Sequence, residues 1–412
     1  MKIFTIAFAC NPELGSECGV GWSLPGEFAR RHKVTLVTRA MYREPIERAI
    51  ANAAVDDPHR SIVWRYYELP KFFMCVERFL PYGTHIYHEI WNRWVAKIFA
   101  KELSESDIVH HLTFGAAYFT PWASKVSRRF VWGPIGGGDD PIPYVFLRTM
   151  GLLAIGKEIL FCFATRYACR GFWFTNRYRR RASAVVFRTR RFSEKMLVAP
   201  GCRTGVVCET AYDELVTERT YSRKSCEPMR VLMVERFIPL KGSLFAIWAF
   251  ARFLSMGGQG ILTLCGKGPL AQRLKLEAQR LGIAENVRFL GHLAHSDVMK
   301  EIRMNDVFLH LSFHEGGSWS ILEAMANGLP VICQRKSGMD DMVTDNCGVK
   351  ILANAPDELA KHAADALIEY WVHPELVERH GAVAQRRVAE EYQWSRHASR
   401  IEGIMREIMK ES

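Results

Sequence analysis

Two glutamates around a glycine loop are the residues of this 412-residue sequence whose types and spacing could do chemistry. Glu315 is followed by Gly316, Gly317 and Ser318, and Glu323 comes eight residues after Glu315. An apolar run before the loop predicts a buried strand, and the helix-forming residues after it predict a helix. Free N–H groups at such a helix start point at an anion. The two carboxylates bracket the loop, so both can point at one bound ligand.

Two cations earlier in the sequence are suited to the same kind of ligand. Arg236 and Lys241 are five residues apart in the loop after a predicted strand at 230–234. Arginine offers a planar fork and lysine a point charge, and together they can neutralise a diphosphate. As isolated cations they would be unremarkable. They precede a predicted helix in the same half of the chain as the glutamate loop, which favours a functional role.

The order of these residues resembles the signature of the retaining family 4 glycosyltransferases. The pattern here is Glu315, seven residues, Glu323, and then Ala-Met-Ala-Asn-Gly-Leu-Pro-Val at 324–331. The earlier turn resembles the family's Gly-Arg-x-x-x-x-Lys-Gly motif, with Glu235 in place of its first glycine. The resemblance is strong from Val231 to about Val343 and moderate in the first loop of the chain.

The resemblance implies a role for each of these residues. Glu315 would hold hydroxyl groups of a donor sugar, and Glu323 would hold the ribose of its nucleotide. Arg236 and Lys241 would stabilise the charge that develops on the departing diphosphate. The N–H groups of the 316–318 loop would share that task, chiefly those of its second glycine and its serine.

Two further parts of the chain would supply donor contacts in such an enzyme. Gly291 and His292 follow a predicted strand where the family places backbone contacts to the base. Gly19, Val20 and Gly21 lie in a glycine-rich turn after the first predicted strand. Their N–H groups would face the donor phosphate and sugar across an interdomain cleft. The turn lacks the GxGxxG spacing, so no dinucleotide site is predicted.

A pair of histidines marks the end of another predicted strand. The family often has an Asp-x-x-His-x-His pattern there, and this sequence has His110, His111 and Leu112 after Asp107. Alternation along a strand puts His110 and Leu112 on one face and His111 on the other. We predict that His110 contacts the donor sugar or phosphate, with His111 as the alternative.

Apolar runs alternate with helical segments in two series, which predicts an α/β protein with two Rossmann-like, doubly wound domains. The resemblance implies the GT-B fold, in which these domains face each other across a cleft. We expect an acceptor-binding domain at 1–215, joined by a C-terminal helix at 392–412, and a nucleotide-sugar-binding domain at 226–391. The polar stretch 217–224 is the predicted linker. The first helix is expected to be interrupted at Pro25.

Composition is that of a globular protein, with 49% hydrophobic and 24% charged residues and a formal net charge of +11. Eleven cysteines form no CxxC pair and no metal-ligand spacing, which predicts reduced thiols in a cytosolic protein. No stretch reaches the ~18 uncharged apolar residues of a spanning helix. We expect no metal and no other cofactor. The aromatic-rich stretch from Trp64 to Phe99 predicts helices, and no functional site is predicted there.

Most of the positive surplus lies in one segment. Between Arg148 and Lys195 there are twelve Lys or Arg residues against two acids, a net charge of +10. The segment 141–195 interleaves these cations with aromatic residues, among them Tyr144, Phe146, Phe161, Phe163, Tyr167, Phe172, Trp173, Phe174 and Tyr178. Such a segment suits an anionic membrane surface, where each nearby cation contributes about 1 kcal/mol. A nucleic-acid patch or a solvated basic helix face would use the same residues. Because the family often builds lipid-linked glycans at the inner membrane face, we predict a membrane contact and no nucleic acid.

The sequence thus predicts a retaining glycosyltransferase of the hexosyltransferase type, cytoplasmic and peripheral at the inner face of the membrane. It would move a sugar from a nucleotide sugar to a hydroxyl of a glycan or lipid-linked acceptor, in exopolysaccharide, capsule or lipopolysaccharide biosynthesis. An epimerase or phosphorylase of the same fold is one alternative, and the epimerase would convert donor without acceptor. A basic nucleic-acid-binding protein is the other, and its binding would be unaffected by UDP or GDP.

Overall fold

The computed structural model of the chain describes residues 1–80, 82–137, 140–170, 173–214 and 224–410. The chain forms two compact units, each with one parallel sheet and interleaved helices. Unit 1 comprises Met1–Gly138, Ala164–Thr210 and Trp394–Ser412, and unit 2 comprises Asp139–Phe163 and Ala211–Gln393. The predicted α/β class is confirmed. The predicted linker 217–224 lies outside the described residues except for Lys224.

The sheet of unit 1 has seven parallel strands in the described residues, in the order β3-β2-β1-β4-β5-β6-β7. These strands are β1 (Lys2–Ala7), β2 (Lys33–Arg39), β3 (Val63–Tyr67), β4 (Ile108–Thr113), β5 (Phe130–Ile135), β6 (Ala184–Phe187) and β7 (Arg203–Val206). The central ones are continuous apolar runs because helices cover both faces of a parallel sheet. The strand order reverses between β1 and β4, which is where doubly wound sheets bind ligands.

Helices fill the chain between these strands. The first nine are α1 (Glu17–Ala29), α2 (Arg43–Asn52), α3 (Lys71–Phe79), α4 (Gly83–Ile98), α5 (Ala100–Glu105), α6 (Tyr144–Met150), α7 (Leu152–Arg170), α8 (Trp173–Arg179) and α9 (Arg190–Lys195). None of the helices in the described part of the chain has the length and apolar composition needed to cross a membrane.

The sheet of unit 2 has six parallel strands in the described residues, in the order β10-β9-β8-β11-β12-β13. The strands are β8 (Met229–Val234), β9 (Gly260–Cys265), β10 (Val287–Gly291), β11 (Val307–His310), β12 (Val331–Gln334) and β13 (Gly348–Ile351). The order reverses between β8 and β11. The remaining helices are α10 (Ser243–Ser255), α11 (Ala271–Arg280), α12 (His295–Met304), α13 (Trp319–Ala326), α14 (Ser337–Met342), α15 (Pro356–Val372), α16 (Pro374–Glu391) and α17 (Trp394–Lys410).

Helix α1 continues through Pro25, so the predicted interruption is wrong. Proline costs a helix one backbone hydrogen bond, but packing can outweigh that cost. Gly21 lies so close to the segment that follows β1 that a Cβ there would come within 2.0 Å of the Ala9 carbonyl oxygen. The Trp22 ring stacks on the His59 ring at 3.8 Å. These contacts hold the helix in place along its length.

The first part of the basic segment belongs to unit 2, whereas the sequence-based boundary placed all of 1–215 in one domain. Phe146, on α6, is fully buried among the core residues of unit 2, with its ring 5.0 Å from that of Phe313 and 5.6 Å from that of Phe245. Helix α17 is part of unit 1, where its Glu402 accepts hydrogen bonds from Arg31. Unit membership therefore does not follow chain order.

Candidate active site

Two neighbouring strands of unit 2 bring four charged residues together. β8 and β11 are paired in parallel at the point where the strand order reverses, so their carboxyl ends lie at the same edge of the sheet. Glu235 directly follows β8, and Lys241 lies in the turn before α10. His310 ends β11, and Glu315 lies in the loop that follows it. We call these four residues the charged cluster.

The members of the charged cluster are in direct contact. His310 Nδ1 lies 2.8 Å from Glu235 Oε1, and His310 Nε2 lies 3.6 Å from Glu315 Oε2. Lys241 Nζ lies 3.2 Å from Glu235 Oε2 and donates a hydrogen bond to Glu315. All four side chains are largely buried, and His310 is completely so. Two carboxylates thus share two cations.

The protonation states follow from this arrangement. Burial disfavours the charged form of His310, but the negative charges of Glu235 and Glu315 outweigh it and raise its pKa to about 9. The same carboxylates raise the pKa of Lys241 against the effect of its burial. Burial opposes ionisation of Glu315, and the neighbouring His310 and Lys241 nevertheless lower its pKa. Near neutral pH the cluster therefore carries both cations.

The turn that carries Lys241 is built close to the end of β11. Gly242 has a φ of 73°, and a Cβ there would come within 2.1 Å of the Leu311 carbonyl oxygen. The Phe313 N–H donates to the Leu240 carbonyl at 2.9 Å. Only glycine combines the left-handed conformation with this close approach at low cost. The Lys-Gly pair of the motif thus has a structural reason as well as an electrostatic one.

The loop that carries Glu315 is held by hydrogen bonds that backbone carbonyls in it and just before it accept from α14 and β12. The Gly338 N–H donates to the Glu315 carbonyl at 2.7 Å, and the Ser337 hydroxyl donates to the same oxygen at 2.6 Å. A Cβ at Gly338 would lie 2.1 Å from the Gly316 carbonyl oxygen. Gln334, buried at the end of β12, donates to the carbonyls of the residues just before this loop. The start of α14 thus fixes the position of Glu315.

The glycine loop leads into α13 as the sequence predicted. Ser318 caps the helix, and its hydroxyl accepts a hydrogen bond from the Ile321 N–H. The Ser318 N–H points at the sulfur of Met342 at 3.5 Å, which is a weak acceptor. Within the described chain, the N–H groups of Gly316 and Gly317 donate no hydrogen bond. The loop therefore presents free donors beside Glu315, as an anion site requires.

Glu323 lies on α13 and is 8% exposed. His295, at the start of α12, places its Nε2 3.0 Å from Glu323 Oε1. This hydrogen bond to Glu323 raises the pKa of His295, whose side chain is 60% exposed. The second glutamate of the motif therefore has a histidine partner that the sequence analysis did not single out.

The remaining predicted donor contacts of unit 2 lie in loops at the carboxyl ends of its strands. Arg236 follows Glu235 and is exposed. Gly291 ends β10 with a φ of 69°, and its carbonyl accepts a hydrogen bond from the Gly266 N–H. His292 is exposed next to it. Their roles as ligand contacts stay predictions, although the placement at this edge of the sheet is the one that such roles need.

The glycine turn of unit 1 differs from its prediction. α1 begins at Glu17, so Gly19, Val20 and Gly21 lie in its first turns and not in an open loop. The Val20 N–H donates within the helix, to the Ser16 carbonyl at 3.1 Å, and it is not free for a ligand. All three residues are buried. The helix thus starts earlier than predicted, and it brings Gly21 close to the Ala9 carbonyl.

The two candidate histidines lie inside β4, which extends to Thr113. His110 Nε2 lies 2.6 Å from the Gly133 carbonyl oxygen, and burial lowers the pKa of His110 to about 4. His111 points to the other face, near the rings of His88 and Phe130, and burial lowers its pKa to about 3. Both are neutral at physiological pH, and the predicted donor contact stays a prediction for each of them.

Arg188 is a cation whose surroundings the sequence did not reveal. It was counted among the arginines of the basic segment, but it lies buried between two carboxylates, 2.7 Å from Glu209 and in a hydrogen bond with Glu17. Burial opposes its charge, but Glu209 and Glu17 raise its pKa. Its guanidinium also donates to the Pro134 carbonyl. Arg188 thus forms buried ion pairs within unit 1 and is not a surface cation.

The charged cluster also has the donor set of a metal site. One ligand atom from each of Glu235, His310 and Glu315 lies within 4.8 Å of the others. Carboxylate and imidazole ligands suit zinc or manganese. A metal here would have to displace the ammonium group of Lys241 and the proton of His310, which the carboxylates already bind. The expectation of no metal stays a prediction.

Solved structures with the same architecture define the class of the protein. The lipopolysaccharide outer core galactosyltransferase WaaB in its apo form aligns with 99% of this chain and 99% of its own, with a TM-score of 0.63 and 14% identity. HepE from Anabaena in complex with UDP covers 99% of this chain and 100% of its own, with a TM-score of 0.60 and 15% identity. At this level of identity the likeness concerns the fold, and the fold is GT-B.

Sequence comparison adds the family. Residues 218–387 match the family model described as glycosyl transferases group 1. A GDP-mannose-dependent monoacylated alpha-(1-6)-phosphatidylinositol monomannoside mannosyltransferase from Corynebacterium glutamicum is 27% identical over 177 residues, which is 41% of this chain and 45% of that protein. The match thus spans less than half of this relative. The stretch that matches the family model lies within unit 2 and includes the charged cluster and the glycine loop.

Proposed function

We propose that the protein is a retaining glycosyltransferase that moves a sugar from a nucleotide-sugar donor to a hydroxyl of a glycan or lipid-linked acceptor. The observation that carries the proposal is the charged cluster beside free N–H groups at the point where the sheet of unit 2 reverses its strand order. A ligand with a diphosphate suits this edge of the sheet because cations and helix-start donors meet there.

Residues of the charged cluster and residues near it would have separate roles in the proposed reaction. Lys241, Arg236 and the N–H groups of Gly316 and Gly317 would stabilise the charge that develops on the departing diphosphate. Glu315 would accept hydrogen bonds from hydroxyls of the donor sugar, and Glu323 would hold the ribose. The bond between the anomeric carbon and the diphosphate oxygen would break, and its electron pair would stay on the departing diphosphate. The acceptor hydroxyl would then bond to the anomeric carbon from the same face, so that the configuration is kept, and its proton would pass to the departing phosphate oxygen.

The relatives support the coarser part of this proposal. They include an amylovoran biosynthesis glycosyltransferase from Erwinia amylovora, 29% identical over 126 residues, which cover 29% of this chain. We place the protein in the synthesis of a cell-envelope polysaccharide or glycolipid, in the cytoplasm and peripheral at the membrane. Donor binding without a metal ion is part of the proposal.

A thermal-shift screen against UDP, GDP, ADP and dTDP tests the nucleotide site. One of them should stabilise the protein, by about 2.7 kcal/mol at a concentration one hundredfold over its Kd. Adding EDTA should leave the shift unchanged. The matching nucleotide sugar, offered with envelope glycolipid extracts, should then give a product whose anomeric configuration equals that of the donor. Inversion would contradict the retaining mechanism, and conversion of donor without acceptor would indicate an epimerase.

A further inference from the structure

Helix α7, which belongs to unit 2 as far as Phe163 and to unit 1 from Ala164, presents two chemically different faces. Its inner face packs within unit 2, where Glu158 is 4% exposed and accepts a hydrogen bond from the Ile142 N–H at 2.7 Å. Glu158 Oε2 also lies 3.1 Å from Nε2 of His314. The Phe161 ring packs on the His314 ring at a centroid distance of 4.2 Å. His314 directly precedes Glu315, so the inner face of α7 is attached to the loop of the charged cluster.

The outer face of α7 is apolar and uncovered. Leu152 is 86% exposed, Leu153 84%, Ile159 64%, Leu160 48% and Phe163 75%. A helix turns by about 100° per residue, which places these five side chains within an arc of about 120°, centred opposite Glu158. Large apolar side chains scattered singly are normal on a surface, but five on one face of one helix mark an interaction site.

The exposed charges on this helix all have one sign. Lys157, Arg166 and Arg170 are exposed, whereas Glu158 is the one acidic residue of α7 and is buried. A solvated helix face would carry polar residues at the positions that Leu152–Phe163 fill with leucine, isoleucine and phenylalanine. An apolar face flanked by cations fits a surface of acyl chains under anionic headgroups.

We propose that the outer face of α7 lies on an anionic lipid surface and so holds unit 2, the nucleotide-sugar-binding unit, at the membrane. The inference rests on the proposed function, which assigns nucleotide-sugar binding to unit 2. The lipid contact itself is argued from the exposed side chains of α7. The proposal narrows the membrane contact that the sequence predicted for 141–195 to one face of α7. Phe146 and Tyr178 of that segment are buried, and Arg188 is enclosed by carboxylates, so these residues are not available to lipid.

Vesicle sedimentation with the full chain tests the apolar contact. The probe is a vesicle of 30% phosphatidylglycerol in phosphatidylcholine, and the variant is Ile159→Ser/Phe163→Ser. The variant should bind at least tenfold more weakly than the wild-type protein. The matched control is Leu276→Ser/Leu352→Ser, which changes two exposed apolar residues of unit 2 outside α7, 54% and 61% exposed. The control should stay within twofold of wild type, and an equal loss in both variants would overturn the proposal.

The charged part of the contact has its own variant. Arg166→Gln/Arg170→Gln should lower binding to the anionic vesicles several-fold and make it less sensitive to salt, because fewer cations face the headgroups. Wild-type binding to pure phosphatidylcholine should be weak. Equal binding of wild type to both vesicles would overturn the anionic preference. Binding of the wild type to a mixed-sequence RNA but not to vesicles would overturn the proposal in favour of nucleic acid.

The nucleotide thermal-shift measurement separates this inference from the proposed function. Both α7 variants should keep the full shift of the wild-type protein, because none of their substitutions lies in the charged cluster. A nucleotide shift without vesicle binding would overturn the membrane surface alone. Vesicle binding that depends on α7, in a protein that no nucleotide stabilises, would support the surface and overturn the proposed donor site.

Discussion

His310 raises the positive charge of the site, although no sequence motif pointed to it. His310 ends a buried apolar strand, and its partner Glu235 lies 75 residues earlier, in the position where the resembled motif has glycine. Their contact depends on β8 pairing with β11, which spacing along the chain does not reveal. Glu315 and Lys241 were predictable because both lie in a local motif. The contact between His310 and Glu235 could not be predicted without knowing the fold.

Because the pKa of His310 is raised, unit 2 should lose stability as the pH becomes alkaline. A group whose pKa is higher in the folded than in the unfolded protein stabilises the fold below its unfolded pKa, and this contribution is lost as the pH rises through the folded value. The difference between about 9 and the ordinary 6.5 corresponds to about 3 kcal/mol. Urea unfolding from pH 7 to pH 10 should show this loss in the wild-type protein and a smaller one in His310→Gln. Parallel curves for the two proteins would contradict the assignment.

Glu235 should limit the affinity of the site for a diphosphate, because it competes for Lys241. Replacing it by glutamine leaves one carboxylate in contact with the lysine. We expect Glu235→Gln to bind the nucleoside diphosphate three- to tenfold more tightly, about 1 kcal/mol, as measured by calorimetric titration. The control Glu277→Gln removes a carboxylate paired with Arg280 on α11 and should leave the affinity unchanged. Weaker binding in Glu235→Gln would indicate that the glutamate itself supports the ligand.

Among the elements, helices and strands with strong local sequence signals were predicted correctly. Those whose structure depends on packing against other elements were not. The strand–loop–helix unit of β11 and α13 matches its sequence pattern because apolar run, glycines, serine cap and the Gly-Leu-Pro stop agree. By contrast, β3 lies at the start of the aromatic stretch that was predicted as helical, since aromatic residues suit both structures. α1 runs through Pro25 because its contacts with the segment after β1 and with His59 outweigh the low helix propensity of proline.

The contact between α14 and the Glu315 loop gives a prediction at this scale. A Cβ in Gly338→Ala would lie 2.1 Å from the Gly316 carbonyl, so the loop must move. We expect a loss of about 1–3 kcal/mol in unfolding free energy and a fall in sugar transfer of roughly tenfold or more. The control Gly403→Ala meets no atom within 4 Å on α17 and should be neutral or slightly stabilising. Full transfer activity in Gly338→Ala would show that the loop position does not matter.

At the scale of the whole molecule, the alternating sequence pattern predicts two α/β units. It does not predict which segments of the chain belong to each unit. The segment Asp139–Phe163 belongs to unit 2, although unit 1 residues precede and follow it. Tertiary packing determines which unit this segment joins. Phe146 and Leu147 fill the core of unit 2, and an apolar helix in the sequence does not show which core it will join.

The placement of Phe146 predicts where its loss will be felt. Phe146→Ala should cost about 3–5 kcal/mol and should lower amide protection in β8, α10 and β11, because the ring packs on Phe245 and Phe313. Hydrogen exchange followed by mass spectrometry measures this by segment. Tyr144→Ala, at a residue that is 63% exposed on the same helix, is the matched control and should leave protection unchanged. Loss of protection confined to unit 1 would contradict the division of the chain.

Hydrogen exchange of the full chain with and without saturating nucleoside diphosphate tests the central claim most directly. The nucleotide is the one among UDP, GDP, ADP and dTDP that stabilises the protein. We predict slower exchange in peptides that cover 235–242 and 313–321, where the charged cluster and the glycine loop lie. A stabilising nucleotide that protects only peptides outside these two stretches would contradict the account.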